Sequence, residues 1–276
     1  MSVYVLILSF TVPHMLERQT VYAIGSAHAM KGADINHPYE VPVQTDLMAH
    51  LVRTTGDVSL FIEGLGLDGC RGIKEIMGRL ETDPRRLEQL IPKFFAQRDF
   101  VMWEQAIKMR ALLELKAEGH FIEPVPTEVD QKSRDAALRF TYRNPTEEDF
   151  GLLERYAEEV LGDRSLVLAA LEKSTGDKDK SFLELVQGMR AHYGDLEMAR
   201  NIETRGGANN LLMFGKGHPL KGWGERFQLS RLDISGYEGG VVGISGSLPE
   251  TIRPSLNDFR ATEPRALVLT GWVQAK

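Results

Sequence analysis

Short apolar segments that alternate with helical patterns constrain the fold of this 276-residue chain most strongly. Residues 21–24, 58–62 and 210–214 are rich in apolar side chains, as expected of strands that are buried on both faces of a sheet. The stretches between them carry helix signals, such as the helical spacing over 45–54 and the apolar stripe over 150–161. This alternation predicts an α/β fold with a central mixed, mostly parallel sheet flanked by helices.

The last third of the chain departs from this alternation. Residues 227–234 and 265–273 are predicted strands, and no helical pattern separates them. We therefore expect late antiparallel strands at one edge of the sheet. The glycine-rich segment 236–246 is predicted to be a mobile loop. The whole chain, 1–276, is predicted to form a single α/β domain with a largely helical insertion at about 70–204.

Composition and charge narrow the classes of partner. The formal net charge is −6 and no basic block is present, so nucleic acid is not expected as a partner. The apolar segment 3–10 lacks the basic flank of a signal peptide and is too short to span a bilayer, so we expect a cytoplasmic protein without a membrane span. The single cysteine, Cys70, excludes an intrachain disulfide and a cysteine-based zinc site. The sequence carries no signal for a particular oligomeric state.

Two histidines follow predicted strands in the same local pattern. The sequence Gly-Ser-Ala-His ends at His28, and Gly-Lys-Gly-His ends at His218. Glu63 stands at the end of a third predicted strand. Because ligands of α/β sheets bind at the carboxyl ends of the strands, we expect these three side chains to form one active or ligand-binding site.

Two chemistries fit such a site. Two neutral imidazoles and a carboxylate can hold a divalent metal ion with an open coordination position, and His37, nine residues after His28, is the next candidate ligand. Without a metal, one histidine would act as general base and the other would stabilise developing charge, with Glu63 orienting one of them. The glycines expected to let the backbone approach a substrate are Gly25, Gly215 and Gly217.

A glycine-rich sequence follows Glu63 directly. Residues 64–69 spell Gly-x-Gly-x-x-Gly between a predicted strand and a predicted helix, which is the pattern of a dinucleotide-binding turn. However, the carboxylate of Glu63 would face the pyrophosphate, and no strand with a terminal acidic residue follows about 20 residues later. We interpret these glycines as a loop that passes close to the site.

Together these motifs resemble the superfamily that contains TraB/TIKI proteins, erythromycin-esterase-like hydrolases and ChaN-like haem-binding proteins. Its members share an early Gly-x-x-His, a strand-end Glu, a helix with an Arg-Asp-x-x-Met-Ala-x-Asn-like motif and a late Gly-x-x-His. The corresponding helix here reads Asp-Leu-Glu-Met-Ala-Arg-Asn-Ile over 195–202. The order of the motifs fits from about residue 21 to residue 221. One departure is Gly194, which stands where the family usually has arginine.

The resemblance implies a hydrolase of the TraB/TIKI–erythromycin-esterase type, with or without a divalent metal ion, that cleaves an ester or peptide bond in a small-molecule or peptide substrate. His28, Glu63 and His218 would then be catalytic or would bind the metal, and Asn201 would hold the substrate or an oxyanion. Helical spacing places Arg205 on the same face as Asn201, so Arg205 is the candidate for the missing arginine. Arg190 and Arg200 are alternatives.

The ChaN-like branch implies a second function, the binding of haem or iron without turnover. Haem needs an axial ligand in an apolar slot, and Tyr22, Tyr39 and Tyr237 lie in or near the predicted rim loops. A third alternative is a toxin or interaction module that keeps the fold without the chemistry. The glycine at position 194 favours this third reading.

Overall fold

The computed structural model of the protein describes residues 18–26, 40–56, 58–63, 70–71, 75, 100–120, 122, 124–127, 131–167, 180–237, 241–246 and 266–272. The strands are β1 (Thr20–Ser26), β2 (Ser59–Ile62), β3 (Pro124–Val125), β4 (Asn209–Gly215), β5 (Gln228–Tyr237), β6 (Val241–Gly246) and β7 (Ala266–Trp272). The longer helices are α1 (Glu40–Thr55), α2 (Phe100–Ala117), α3 (Gln131–Tyr142), α4 (Glu147–Tyr156) and α5 (Lys180–Arg205). α4 continues as a π-helical turn over Ala157–Leu161. The short helix α6 (Trp223–Arg226) follows β4.

Within the described residues, seven strands form one mixed sheet in the order β3-β2-β4-β1-β5-β6-β7. The strands from β3 to β5 in this order run parallel to one another. β6 pairs antiparallel with β5, and β7 runs parallel to β6. The predicted α/β class, with a mostly parallel sheet and late antiparallel strands at one edge, is confirmed.

The late edge differs from the prediction in two details. β5, which covers most of the predicted strand 227–234, pairs parallel with β1 and therefore lies inside the sheet. Residues 241–246, predicted as part of a mobile loop, form β6 between β5 and β7. The loop prediction was wrong there because Gly243 lies between Val242 and Ile244, whose β-branched side chains suit a strand.

Opposite faces of the sheet pack against different helices. Tyr22 and Ile24 of β1 belong to a core cluster with Leu47 and Leu51 of α1. Val21 and Ala23, which alternate with them, belong to a second cluster with α5. Both central strands, β1 and β4, are thus buried on both faces, as their continuous apolar sequences predict.

Helix α1 begins before the predicted helix, which covered 45–54. Pro42 lies in its first turn, where a proline is tolerated because the N–H it lacks would have no partner within the helix. Arg53, near the other end of α1, donates to both carboxylate oxygens of Glu118 just after α2, at 2.5 and 2.6 Å. This ion pair joins the two helices.

A third apolar cluster lies among the helices of the middle region. Phe140 of α3, Leu153 of α4 and Val186 of α5 are buried in it. α5 therefore spans two cores, because its second half packs on the sheet through Met198 and Ile202. The predicted helical insertion at 70–204 stays a prediction. Among the helices that the structure describes, none combines the length and apolar character needed to cross a bilayer.

Candidate functional site

The carboxyl ends of β1, β2 and β4 form one edge of the sheet. In the parallel register, Ser26 lies beside Gly215, and Ile62 lies beside Met213. The N–H of Glu63 continues this pairing by donating to the carbonyl of Met213 at 2.8 Å. Both Gly-x-x-His sequences thus start at the same edge of the sheet, on the neighbouring strands β1 and β4. Glu63 follows β2, the next strand beyond β4.

At this edge, the imidazole of His218 lies between two carboxylates. Its Nδ1 is 2.6 Å from Oδ1 of Asp195 on α5, and its Nε2 is 2.9 Å from Oε1 of Glu63. His218 is 8% exposed, so these contacts are largely shielded from water. The three side chains form a continuous Asp195–His218–Glu63 chain of hydrogen bonds.

The second oxygen of each carboxylate is held by a backbone N–H. Gly215 donates to Oε2 of Glu63 at 2.5 Å, and Leu220 donates to Oδ2 of Asp195 at 2.8 Å. Both donors belong to the loop that carries His218, which we call the 215–220 loop. The loop and the two carboxylates therefore fix one another, and little freedom is left to the imidazole.

The charge state of His218 follows from these neighbours. Burial alone would disfavour the imidazolium, but the hydrogen bonds with Asp195 and Glu63 outweigh it and raise the pKa of His218 from 6.5 to about 9. At neutral pH both ring nitrogens therefore carry a proton and donate to a carboxylate. The arrangement holds one positive charge between two negative ones.

Gly25 lies where β1 passes beneath the 215–220 loop. A Cβ at this position would be 2.5 Å from Oδ1 of Asp233 on β5 and 3.2 Å from Cα of Lys216. The N–H of Lys216 also donates to the carbonyl of Ser26 at 2.8 Å. The close approach of the Asp233 side chain and of the Lys216 backbone, rather than an unusual backbone angle, accounts for glycine at position 25.

Further charged groups surround the loop. Lys216 donates to Oε1 of Glu40 at 3.2 Å and to the carbonyl of Ile234 at 3.3 Å. On the α1 side, Gln44 donates to the carbonyls of Ile24 at 2.8 Å and Phe214 at 3.3 Å. Gln44 thus ties together the carboxyl ends of β1 and β4, the two strands that precede the Gly-x-x-His sequences.

Of the predicted catalytic residues, Glu63 and His218 are in direct contact, whereas His28, like the further candidate ligand His37, lies outside the described residues. Gly215 contacts Glu63 through its N–H, and a Cβ at Gly217 would meet nothing within 4 Å.

The predicted substrate-binding residues of α5 lie elsewhere on that helix. The amide of Asn201 is buried and donates within α5, to the carbonyl of Glu197 at 3.1 Å and to its side chain at 3.3 Å. Arg205 is exposed at the last residue of α5. Asp195, one position after Gly194, is the residue of this helix that reaches His218.

Asp195 is the site residue that sequence reasoning missed. It lies in the helix sequence 195–202, one position away from the helix face shared by Gly194 and Asn201, so helical spacing assigned it no role. Its position as the acidic residue of the Arg-Asp-like pair was the signal that could have identified it. Arg231 of β5 also reaches this edge, where it donates to the carbonyl of His218 at 2.8 Å, and it carried no sequence signal that links it to the site.

The cofactor expectations depend on residues that the structure covers only in part. Among the described residues, no group of three or more His, Cys, Asp or Glu side chains is arranged to hold a metal ion. Of the tyrosines considered for haem, Tyr22 is buried in the core under α1, Tyr39 lies outside the described residues and Tyr237 ends β5. The glycine-rich sequence 64–69 also lies outside them. Metal and haem binding both stay predictions.

Comparison of the chain with models of protein families, with curated proteins and with solved structures finds no match. The resemblance to the TraB/TIKI, erythromycin-esterase-like and ChaN-like superfamily therefore stays a prediction from the motifs. The chemistry available at this edge of the sheet depends on the Asp195–His218–Glu63 chain of hydrogen bonds and on the 215–220 loop around it.

Proposed function

We propose that this protein is a hydrolase that cleaves an ester or peptide bond of a small-molecule or peptide substrate at the edge where Glu63 and His218 meet. The observation that carries the proposal is the placement of His218 between two carboxylates, at 2.6 Å from Asp195 and 2.9 Å from Glu63. A buried imidazole held on one side by a carboxylate and facing a second one on the other side is suited to moving protons at neutral pH.

The charge states support one division of roles. Glu63 accepts hydrogen bonds and is the base that takes a proton from the attacking water. His218 carries a proton on Nε2 at neutral pH, because its pKa is raised to about 9, and it donates this proton to the leaving oxygen or nitrogen. Glu63 then returns its proton to His218 across the 2.9 Å contact. Asp195 keeps the ring in place throughout, and His28 is the second histidine of the proposed site.

In a second form of this proposal, the hydrolysis depends on a divalent metal ion. Nε2 of His218 would lose its proton when the ion binds, and it and the carboxylate of Glu63 would then be ligands of the kinds that Zn²⁺ and Mn²⁺ accept, with His28 and His37 completing the set. The ion would lower the pKa of a bound water. In this form Asp195 orients His218 through Nδ1, as carboxylates commonly do beside histidine ligands.

Hydrolysis assays test the proposal directly. The substrates are p-nitrophenyl acetate and a panel of fluorogenic peptide amides, and the variants are His218→Asn, Glu63→Gln and Asp195→Asn. We expect kcat/KM to fall about 100- to 10,000-fold in the first two variants, as for loss of a general acid or base. His120→Asn, three residues after the end of α2, is the matched histidine control and should keep the wild-type rate. Absence of hydrolysis by the wild type, or equal rates in all variants, would overturn the proposal.

Elemental analysis separates the two forms. Protein purified without chelator is compared with the His218→Asn variant. A stoichiometric ion in the wild type that is lost from the variant supports the metal-dependent form. Hydrolysis that survives complete removal of metal supports the acid–base form.

A further inference from the structure

We propose that Arg231 of β5 is a further positioning residue of this site, beside Asp195, and that it acts by holding the backbone of the 215–220 loop. This inference rests on the proposed hydrolase function, since positioning of His218 matters to catalysis only if His218 takes part in it. The sequence pointed instead to arginines of α5. The arginine that contacts the His218 loop comes from a different element, on the other side of β1 from β4.

The guanidinium of Arg231 binds three carbonyl oxygens of one short loop. Its Nη1 donates to the carbonyl of His218 at 2.8 Å and to that of Pro219 at 3.2 Å. Its Nη2 donates to the carbonyl of Lys216 at 3.0 Å. The loop backbone thus curves around a single planar cation, which a point charge such as an ammonium would match less well.

Arg231 is itself fixed in place. Its Nε lies 2.9 and 3.1 Å from the two carboxylate oxygens of Asp233, two residues along the same face of β5. Its guanidinium lies over the ring of Phe214, 5.3 Å from the centroid, which adds a cation–π contact. Because most of its N–H groups are bonded to the protein in this way, Arg231 is suited to positioning rather than to binding a substrate.

These contacts complete the anchoring of the loop. Its N–H groups at Gly215 and Leu220 bind Glu63 and Asp195, and its carbonyls bind Arg231. The carboxylates therefore hold the loop from one side and the guanidinium from the other. Loss of the hydrogen bonds between Arg231 and the loop carbonyls would let the imidazole of His218 move away from Glu63, even though His218 and Glu63 themselves are unchanged.

The test compares Arg231→Gln and Arg231→Lys with a matched control, Arg226→Gln. Arg226 also donates to both oxygens of a carboxylate, Glu203, at 2.6 and 2.8 Å, and also lies over a phenylalanine ring, Phe227, at 5.9 Å. The control therefore removes the same kinds of contact without touching the carbonyls of the 215–220 loop.

Proton NMR of the histidine ring N–H groups, recorded at pH 7 with chelator present, gives the main readout. The two hydrogen-bonded N–H resonances of His218 are assigned by their loss in His218→Asn. We expect both in the wild type and in Arg226→Gln, and loss of the Nε2–H resonance in Arg231→Gln. Arg231→Lys should lose the Nε2–H resonance too, since lysine keeps the positive charge but lacks the planar guanidinium with its several N–H donors. This second variant provides the test if Arg231→Gln does not fold. In Arg231→Gln and Arg231→Lys, kcat/KM for p-nitrophenyl acetate should fall about 10- to 100-fold.

An unchanged Nε2–H resonance in a folded Arg231→Gln or Arg231→Lys protein would overturn the positioning role. The NMR result does not depend on turnover. If the variant loses the resonance but the wild type hydrolyses no substrate, the positioning role of Arg231 is upheld and the hydrolase function is rejected. If the wild type is active but the variant keeps the resonance, the hydrolase function is upheld and the positioning role is rejected.

Discussion

At the scale of single residues, the glycines at the sheet edge have different functions although the sequence presents them alike. Gly25 lies against Asp233 and the backbone of Lys216, so that no Cβ fits without movement. Gly217, in the loop itself, has open space where a Cβ would be. Position in the packed edge, which the local sequence does not encode, distinguishes them.

This difference predicts unequal costs of alanine. Gly25→Ala should reduce the free energy of unfolding by about 1–3 kcal/mol, because the added methyl group must displace Asp233 or the loop backbone. Gly217→Ala is the control and should change it by less than about 0.5 kcal/mol. Urea denaturation of both variants measures the difference, and equal stabilities would contradict the close approach described at Gly25.

Residue-level reasoning from the sequence identified part of the candidate site. Glu63 and His218 follow buried parallel strands, and the ends of such strands meet at one edge, so their contact could be predicted from the strand pattern alone. Asp195 and Arg231 could not be found in this way. Their contacts depend on how α5 is rotated against the sheet and on which strand lies beside β1, and both are set by tertiary packing.

At the scale of elements, the start of α4 shows how a local pattern can specify a helix end completely. Thr146 accepts from the N–H of Asp149 at 3.3 Å, and Asp149 accepts from the N–H of Thr146 at 2.7 Å, which forms a capping box. Asp149 also binds Arg139 of α3 at 2.6 and 2.7 Å. One buried carboxylate thus caps a helix and joins it to its neighbour.

Asp149→Asn should lower the free energy of unfolding at pH 7 by about 1–2 kcal/mol, because the neutral amide loses the charge-assisted, two-point contact with Arg139. The hydrogen bonds of Arg139 and then of Thr146 lower the pKa of Asp149 from 3.8 to about 2, against the opposing effect of burial. The stabilisation is therefore present above pH 3.8 and is lost as the pH falls toward 2. Urea titrations at pH 7 and pH 2.5 measure it.

The exposed Glu147→Gln, in the same first turn, is the control for this prediction. It should change stability little at either pH. A difference between Asp149→Asn and the wild type that is as large at pH 2.5 as at pH 7 would mean that charge at position 149 has no part in the effect.

Elements with their own sequence signal were predicted well, and those that depend on neighbours were not. β1, β2 and β4 have continuous apolar sequences, and the structure has strands there. β6 was missed because the glycines of 236–246 outweighed the weak strand signal of Val242 and Ile244, and the pairing with β5 and β7 that stabilises it depends on tertiary structure. α1 begins before the predicted start at 45 because tertiary packing buries its first residues, including Glu40.

At the scale of the whole molecule, the charge of His218 links the site to global stability. The folded protein holds the imidazolium more tightly than the unfolded chain does, since the pKa of His218 is raised from 6.5 to about 9. The resulting stabilisation is fully present below pH 6.5 and is lost as the pH rises to about 9. The site therefore contributes to folding most strongly at the acidic and neutral end of this range.

Chelator-treated wild-type protein should thus lose on the order of 3 kcal/mol of unfolding free energy between pH 6 and pH 9.5 through this group. The His218→Asn variant should lack this component, so that its stability falls less steeply over the same range. Urea denaturation of both proteins at the two pH values is the measurement. Parallel pH profiles would show that His218 takes up no extra proton on folding.

The backbone of Leu220 has a consequence for how the site comes into being. Its φ is 49°, in a region that a leucine enters at a cost on the order of 1–3 kcal/mol. In the folded protein its N–H binds Asp195 and its side chain is buried in the core. Both contacts come from distant parts of the chain, so the native shape of the turn after His218 depends on the docking of α5. The geometry around His218 is therefore a product of long-range assembly rather than of the four-residue motif that ends at this histidine.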